Sequence, residues 1–431
     1  MVRLSLLILI LVLPLTLHAA PTQVAVLSVR GPINPATADY LQRNIEAAGA
    51  RGDRMVLVEM DTPGGLDTAM RQTVQALFAS AVPVVVYVTP SGARAASAGA
   101  VIALAADLCA MAPGTNIGAA HPVSLGQQPD KVMAEKVLND AEAYLEGIAV
   151  KRGRNADLAR QMVRQSISLR ADKAVAEGVV DLLADDRQAL LAKLEGRHLV
   201  RGGKETVLHL SGARLISYPM GSRDRILNAI SNPDLAYLLM LAGIFGIFFE
   251  LANPGVILPG VIGGISLILA FFAFQTLPVN YAGALLILLA IILFIAEVKI
   301  VSHGILAVGG CVAMVLGSLL LFPSKEPYLR LSWWMIGGTV LATLVFFLVV
   351  VAKVIEAHRQ KPLTGVEAML GAVGTAETDI TPEGKVLLHG ETWQARSSEP
   401  IGKGEKVEVT GVEGLCVSVR KQGVKPGPVK G

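Results

Sequence analysis

Apolar and polar positions divide the chain into stretches of different period. Residues 23–29, 55–60, 82–88 and 108–112 are short runs rich in β-branched or small apolar residues, bounded by Gly, Pro, Asp or Thr, and they predict strands. Residues 35–48, 66–80, 95–106, 131–152 and 155–165 repeat their apolar positions at helical spacing, with caps expected in the Asp67 and Ser97 regions. The two kinds of stretch alternate, so residues 21–195 predict a soluble α/β domain built on a layered, largely parallel sheet with crossovers. A linker is expected over residues 196–232.

Polar positions then nearly vanish. Residues 235–252, 256–277, 282–298, 302–322 and 333–352 each approach the roughly 20 residues needed to cross a hydrocarbon core, which predicts a multi-pass region of about five helices over residues 233–355. Glu250, Glu297 and Lys299 fall at span ends, where an interfacial position explains them better than an ion pathway. At the other end of the chain, Arg3, an apolar run over residues 4–17 and His18-Ala19-Ala20-Pro21 predict a secretory signal peptide over residues 1–20, cut near Ala19. An uncleaved anchor is the alternative, and either one places the α/β domain outside the cytoplasm. An odd number of spans, with Lys353, His358, Arg359 and Lys361 after the last of them, puts the C-terminus in the cytoplasm of a cell whose inner membrane holds the chain. Past the spans, residues 385–389, 392–396, 406–410 and 415–420 alternate between Gly-containing breaks and predict a small β-barrel over residues 363–421, with a disordered tail over residues 422–431.

Composition agrees with a chain partly in lipid. Of 431 residues, 52% are hydrophobic and 17% charged, where soluble domains carry about a quarter charged residues. A formal charge of +3 without long runs of one sign speaks against nucleic acid as a partner. The barrel segment has one aromatic, Trp393, too few for a base-stacking surface, so a protein-binding or structural role is expected of it. Cys109, Cys311 and Cys416 fall one to a region with no short spacing, so no metal site, cofactor or disulfide framework is expected and the thiols should be buried and unpaired.

Two glycine-containing turns carry the candidate chemistry. Asp61-Thr62-Pro63-Gly64-Gly65 follows the second strand and opens a helix, so its backbone N–H groups can meet a developing negative charge, although such a turn is more often just a tight connection. Residues 91–100 follow the third strand, and small residues on every side of Ser97 would let a substrate backbone reach its hydroxyl; close packing of a small-residue helix is the bland alternative. A serine nucleophile needs a base. His121 offers one solution, and a lysine made neutral by burial offers another, with Lys131, Lys136 and Lys151 as candidates. Lys136 precedes the apolar stripe Val137, Ala141, Tyr144, Leu145 and Ile148 and is expected to be partly buried, whereas Lys131 beside Asp130 should be solvated.

With these motifs the chain resembles the long form of the NfeD family, membrane-bound serine proteases of the Clp protease and crotonase-like superfamily. The resemblance rests on residues 61–65, 95–99, 114–122, 136–141 and 173–181, and covers nearly everything after the first 20 residues. It implies a Clp/crotonase-like protease domain, an α-helical transmembrane bundle and a C-terminal small barrel of the oligonucleotide-binding (OB-like) type. It further implies a dyad of Ser97 as nucleophile and Lys136 as general base, with the N–H groups of Gly65 and Ala98 as the oxyanion hole. His121 would then shape the cleft, because the position where a Clp-type triad needs its carboxylate is Ser166, and Asp172 lies too late. The implied substrates are hydrophobic peptide segments of stomatin- or prohibitin-like membrane proteins, met at the lipid bilayer by a homo-oligomer, a dimer or larger. A signal peptide peptidase of the serine–lysine type is a rival that the spans and barrel disfavour. A non-proteolytic scaffold that organises stomatin-like assemblies is the rival from another class.

Overall fold

The structure is a computed structural model that describes residues 23–123, 130–252, 255–300, 302, 304–324, 326–359 and 369–423. The expected signal segment, and the expected tail beyond residue 423, lie outside the described residues. The chain divides into two compact units, one running to Leu293 and again over Ile305–Leu341, the other comprising Phe294–Gly304 and Ala342 onward.

In the first unit, strands β1 (Gln23–Arg30), β2 (Met55–Asp61), β3 (Val84–Val88), β5 (Leu108–Met111), β8 (Leu182–Leu183) and β11 (Arg214–Ser217) form a six-stranded sheet in the order β11-β1-β2-β3-β5-β8, with every pair parallel. Alternate residues serve opposite faces. Leu27, Val58, Val86 and Val88 pack on one side with helices α1 (Pro35–Arg51), α2 (Asp67–Ala79) and α3 (Ala98–Ala105); Val26, Leu57, Val85 and Tyr87 pack on the other against α7 (Arg187–Leu194). Burial on both faces is why these strands read as unbroken apolar runs. A second sheet of three short strands, β4 (Arg94–Ala96), β6 (Asn116–Gly118) and β7 (Ser168–Arg170), stands over the carboxyl ends of the first. Around it run α4 (Lys131–Lys151), α5 (Ala156–Arg164) and α6 (Ala171–Ala176).

Two expectations need correction. The helix expected over residues 95–106 starts only at Ala98, because Arg94–Ala96 pairs as a strand with Asn116–Gly118. The linker expected over residues 196–232 is folded. A hairpin of β9 (His198–Arg201) and β10 (Lys204–Val207) turns through Gly202-Gly203, β11 adds an edge to the main sheet, and α8 (Ser222–Ile230) follows. That segment is tied to α1 by Arg43 to Asp224 at 2.6 Å, the Asn34 amide to Asn228 at 2.7 Å, and the Tyr40 hydroxyl donating to the Tyr218 carbonyl at 2.6 Å.

Five apolar helices follow: α9 (Pro233–Ala252), α10 (Ile257–Phe274), α11 (Tyr281–Lys299), α12 (Ile305–Leu321) and α13 (Trp333–Arg359). Over Pro233–Leu251 and Ile257–Phe274 they are long and apolar enough to cross a membrane, while Tyr281–Glu297, Ile305–Leu321 and Trp333–Val349 are shorter apolar stretches. Within the first unit they meet through small residues, as helices in lipid do. A methyl on Gly246 would lie 2.8 Å from the Gly263 Cα, and one on Gly317 would lie 2.8 Å from the Gly283 carbonyl oxygen. Buried Tyr237 hydrogen-bonds Ser318 at 2.7 Å and Thr339 at 3.1 Å.

In the second unit, β12 (Val373–Ala376), β13 (Glu383–Leu388), β14 (Glu391–Arg396), β15 (Lys406–Glu413) and β16 (Cys416–Lys421) close a barrel in the order β12-β13-β14-β16-β15. All its neighbours are antiparallel except β14 with β16. This first-second-third-fifth-fourth order is the OB-like arrangement expected. Alternating Val386, Leu388, Val407, Val409, Val417 and Val419 fill its centre.

One ionic tie fastens the end of the superfamily-like stretch at Asp181. Its carboxylate accepts from the Cys109 N–H at 2.6 Å and pairs with the buried guanidinium of Arg154 at 2.7 Å. Substituting Asp181→Ala would leave a buried cation without its counter-charge, at a cost of about 3 kcal/mol. A fall in the thermal unfolding midpoint of the full chain checks it, with Arg154→Met milder than Asp181→Ala.

Candidate active site

The site is built where the two turns approach each other beyond the carboxyl ends of β2 and β3. Thr62, fully buried, holds the first turn: its hydroxyl donates to the Gly64 carbonyl at 3.0 Å and accepts from the Gly64 N–H at 3.1 Å. Its backbone holds the second turn, since the Thr62 N–H donates to the Arg94 carbonyl at 2.8 Å and the Ala96 N–H donates to the Thr62 carbonyl at 3.1 Å. The Asp61 carboxylate adds a bond from the Arg94 N–H at 3.1 Å. Ser97, the next residue, is anchored by its N–H to the Gly118 carbonyl at 2.9 Å and takes a φ of +54°. For a non-glycine residue that conformation costs about 1–3 kcal/mol, and here the bonds on both sides impose it.

Ser97 occupies the N-cap position of α3 yet makes no capping hydrogen bond, and the N-cap of α2 is Leu66, also without a side-chain cap. The caps expected near Ser97 and Asp67 are therefore absent, and the Ser97 hydroxyl is not spent on holding its own helix. The Ala98 N–H sits at the unpaired amino end of that helix. On the facing turn, the Ile33 N–H donates to the Gly64 carbonyl at 2.8 Å and the Leu66 N–H donates to the Ile33 carbonyl at 2.9 Å. In a parallel bridge of this kind, centred on Gly65, the N–H of Gly65 itself points away from Ile33. Among the described residues neither amide has an acceptor.

A cleft of about 480 Å³ is lined by Gly65, Ser97, Ala98 and Lys136 together. Its remaining walls are largely apolar: Leu66, Met70, Val101, Val137, Ala141, Tyr144 and Val163. Arg71 joins α2 to α4 along one side, with Asp67 at 2.9 Å, Asp140 at 2.5 Å and its guanidinium 4.3 Å from the centre of the Tyr144 ring. This clamp sits one helical turn past Lys136 and keeps that face of α4 at the cleft. Burial raises the Tyr144 hydroxyl above its ordinary range, so it stays protonated.

The structure sorts the proposed bases. Lys136 lines the cleft but is exposed in the single chain, not partly buried as expected. Lys131 is exposed, and Lys151 lies 4.2 Å over the Phe78 ring. His121 is exposed with its Nδ1 2.9 Å from the Val163 carbonyl; its neighbours Ala120 and Pro122 line the cleft, and the imidazole does not. Ser166 is exposed with φ +55°, and Asp172 pairs with Arg170 at 2.7 Å. Among the cysteines, Cys109 is buried and its thiol is pushed up to about 12 by burial, so it is inert, while Cys311 and Cys416 are half-buried and unpaired.

Sequence reasoning missed one wall. Glu326, Tyr328 and Leu329, from the loop between α12 and α13, also line the cleft. The one signal available was that loop's break in an otherwise apolar region, Pro323-Ser324-Lys325-Glu326-Pro327-Tyr328-Leu329-Arg330.

Family models described as NfeD1b, N-terminal domain, NfeD integral membrane domain, and NfeD-like C-terminal, partner-binding domain match residues 23–192, 234–352 and 366–421. The membrane-bound protease PH1510 of Pyrococcus horikoshii is 37% identical over 93% of this chain and 94% of that protein. The membrane protein NfeD1b of Bacillus subtilis is 28% identical over 94% of each. Among solved structures, a mutant of the 1510-N membrane-bound stomatin-specific protease in complex with a substrate peptide matches with a TM-score of 0.46 and 33% identity, over 49% of this chain and 98% of that one.

The Gly64 contact meets Ser97 directly. A methyl there would lie 2.7 Å from the Ser97 Cβ, at a φ of +125°. Gly64→Ala should therefore displace Ser97 as well as strain the turn, costing about 1–3 kcal/mol from the backbone alone. Labelling of Ser97 by a fluorophosphonate should slow at least tenfold in chains that remain folded by size exclusion.

Proposed function

The chain belongs to the NfeD family of membrane proteins, and on that premise we propose that it is a membrane-anchored serine endopeptidase using a Ser97–Lys136 dyad. The observation that carries this reading is the convergence of a hydroxyl, an amine and two unpaired backbone amides on one largely apolar cleft. In the proposed reaction the free amine of Lys136 takes the Ser97 proton as Oγ bonds to the peptide carbonyl carbon. The carbonyl electrons move onto oxygen, which the N–H groups of Gly65 and Ala98 hold; each such donor is worth roughly a hundred- to a thousandfold in rate. Collapse breaks the C–N bond, and the leaving amine takes the proton from Lys136. Water then attacks the ester and gives its proton to Lys136, which passes it to Ser97 Oγ as the ester C–O bond breaks and the carboxylic product leaves.

Lys136 is exposed in the single chain, and removal of water from an ammonium favours the free amine. A peptide laid across the cleft, or a second copy of the chain in a dimer or larger oligomer, would supply that cover. The apolar lining suits hydrophobic segments. A catalytic unit joined to membrane helices within one compact unit suits substrates at the bilayer. We assign stomatin- or prohibitin-like membrane proteins as the substrates and partners, the protease domain to the extracytoplasmic side, and the barrel to the cytoplasm. The partner-binding description of the matched barrel model favours a second, recruiting role for residues 366–421; the scaffold reading takes that role as the whole function.

Cleavage of an apolar peptide by the full chain in lipid nanodiscs decides between them. Ser97→Ala and Lys136→Ala should each lose roughly a thousandfold in rate, and small primary amines should partly restore Lys136→Ala but not Ser97→Ala. Activity retained in Lys136→Ala and lost in His121→Ala would move the base to the imidazole. Equal activity in the wild type and Ser97→Ala would leave only the scaffold.

A further inference from the structure

The loop that sequence reasoning missed forms one wall of the cleft. It is held at both ends: the Asn280 N–H donates to the Leu321 carbonyl at 2.8 Å, and the Ser332 N–H donates to the Asp234 carboxylate at 2.9 Å. Between these ties Pro327–Leu329 forms a single 3₁₀ turn, closed by the Leu329 N–H on the Glu326 carbonyl at 3.1 Å, with Leu329 buried. The turn carries Tyr328 to the nucleophile. A methyl built on Gly64 would lie 3.1 Å from the Ser97 Oγ and 3.1 Å from the Tyr328 hydroxyl oxygen, so the two hydroxyls face the same point. Burial, reinforced by the charge of Glu326, pushes the Tyr328 hydroxyl up to about 12, so it remains neutral there.

Behind this turn lies a second cavity of about 180 Å³, lined by Ile33, Asn228, Pro233 and Leu277 among others. It shares Gly65, Leu66, Tyr328 and Leu329 with the nucleophile cleft. Tyr328 and Leu329 are thus a partition with space on both sides. The 480 Å³ left in front of them is within the range of ordinary ligand pockets, so the turn bounds the cleft and does not fill it.

We propose that Tyr328 and Leu329, supplied by the loop between two membrane helices, are specificity-determining residues that limit the size of the apolar side chain accepted beside Ser97. The inference rests on the reading of the Ser97 cleft as a peptide site. In it, the membrane region shapes the subsite directly. Removing the phenol would join the two cavities and admit side chains that the wild type turns away.

The test uses the full chain in nanodiscs and a series of otherwise identical apolar peptides carrying Ala, Leu, Phe or Trp at one position near the cleaved bond. In Tyr328→Ala the ratio of kcat/KM for Trp and Phe peptides to that for Ala peptides should rise about tenfold, the scale that a change of this size in an apolar pocket produces, mostly through KM. Leu329→Ala should move the ratio the same way, and Tyr328→Phe, which keeps the ring, should keep the wild-type ratio. Binding of the same peptides to Ser97→Ala and to the Ser97→Ala/Tyr328→Ala double variant, read by fluorescence anisotropy, gives the preference without turnover. Unchanged preference in both alanine variants overturns the partition. A uniform gain across all four peptides overturns it in favour of an inhibitory plug. A shift in binding preference without cleavage by any form leaves the partition standing and removes the peptidase.

Discussion

The close approach of two backbone turns governs this molecule. The Gly64-Gly65 turn and the segment that presents Ser97 come within van der Waals contact, which leaves no space for a side chain at Gly64, while Ile33 leaves none at Gly65, where a methyl would lie 2.0 Å from its carbonyl oxygen. Thr62 binds both turns with its hydroxyl and its backbone. From that one junction follow the positive φ of Ser97, its hydroxyl at the start of a helix, and the place of Gly65 and Ala98 in the lining of one cleft. Strain of this kind persists only where surrounding bonds over-determine it, and here they come from β2, β4 and β6 together.

The scaffold behind the junction was legible because its strands are buried on both faces and therefore carry unbroken apolar runs. The segments that were misread are those where tertiary contacts overrode weak local signals. Ala95 and Ala96 have nothing in their side chains to oppose a helix, and their pairing with Ile117 and Gly118 decides the matter. Leu215 and Ile216 form too short a run to announce an edge strand, and β1 recruits them by parallel pairing. In the barrel, the strand Val373–Ala376 escaped notice because Gly374 interrupts its pattern. That glycine is required by packing, since a methyl there would lie 2.6 Å from the Leu387 carbonyl oxygen.

At the site, the residues of the α/β domain were named from the sequence, and the wall supplied by the loop between two membrane helices was not. Ser97 and the glycine turn stand out because close approach demands small residues, and composition records that demand. The placement of Lys136 in the same cleft came from resemblance, since several lysines share the helix. Its exposure was misjudged because the apolar stripe that follows it turns inward only later. Val137 is still exposed, whereas Leu145 and Ile148 are buried. For Tyr328 the break in the apolar region marked a loop but not its destination, because its position depends on the whole path of the membrane helices.

That path is also a physical coupling between lipid and cleft. Helices in a bilayer associate through close packing and a few interhelical hydrogen bonds, and those seen here converge on Tyr237, which joins α9 to α12 and α13 through Ser318 and Thr339. The loop bearing Tyr328 links the same α12 and α13, and its far end is tied to Asp234 at the start of α9. A rearrangement of these three helices must therefore move the loop or break its anchors, and the loop faces the same point as the Ser97 hydroxyl. The geometry beside Ser97 is in this way a function of how the membrane helices pack, and any account of what this cleft accepts has to include them.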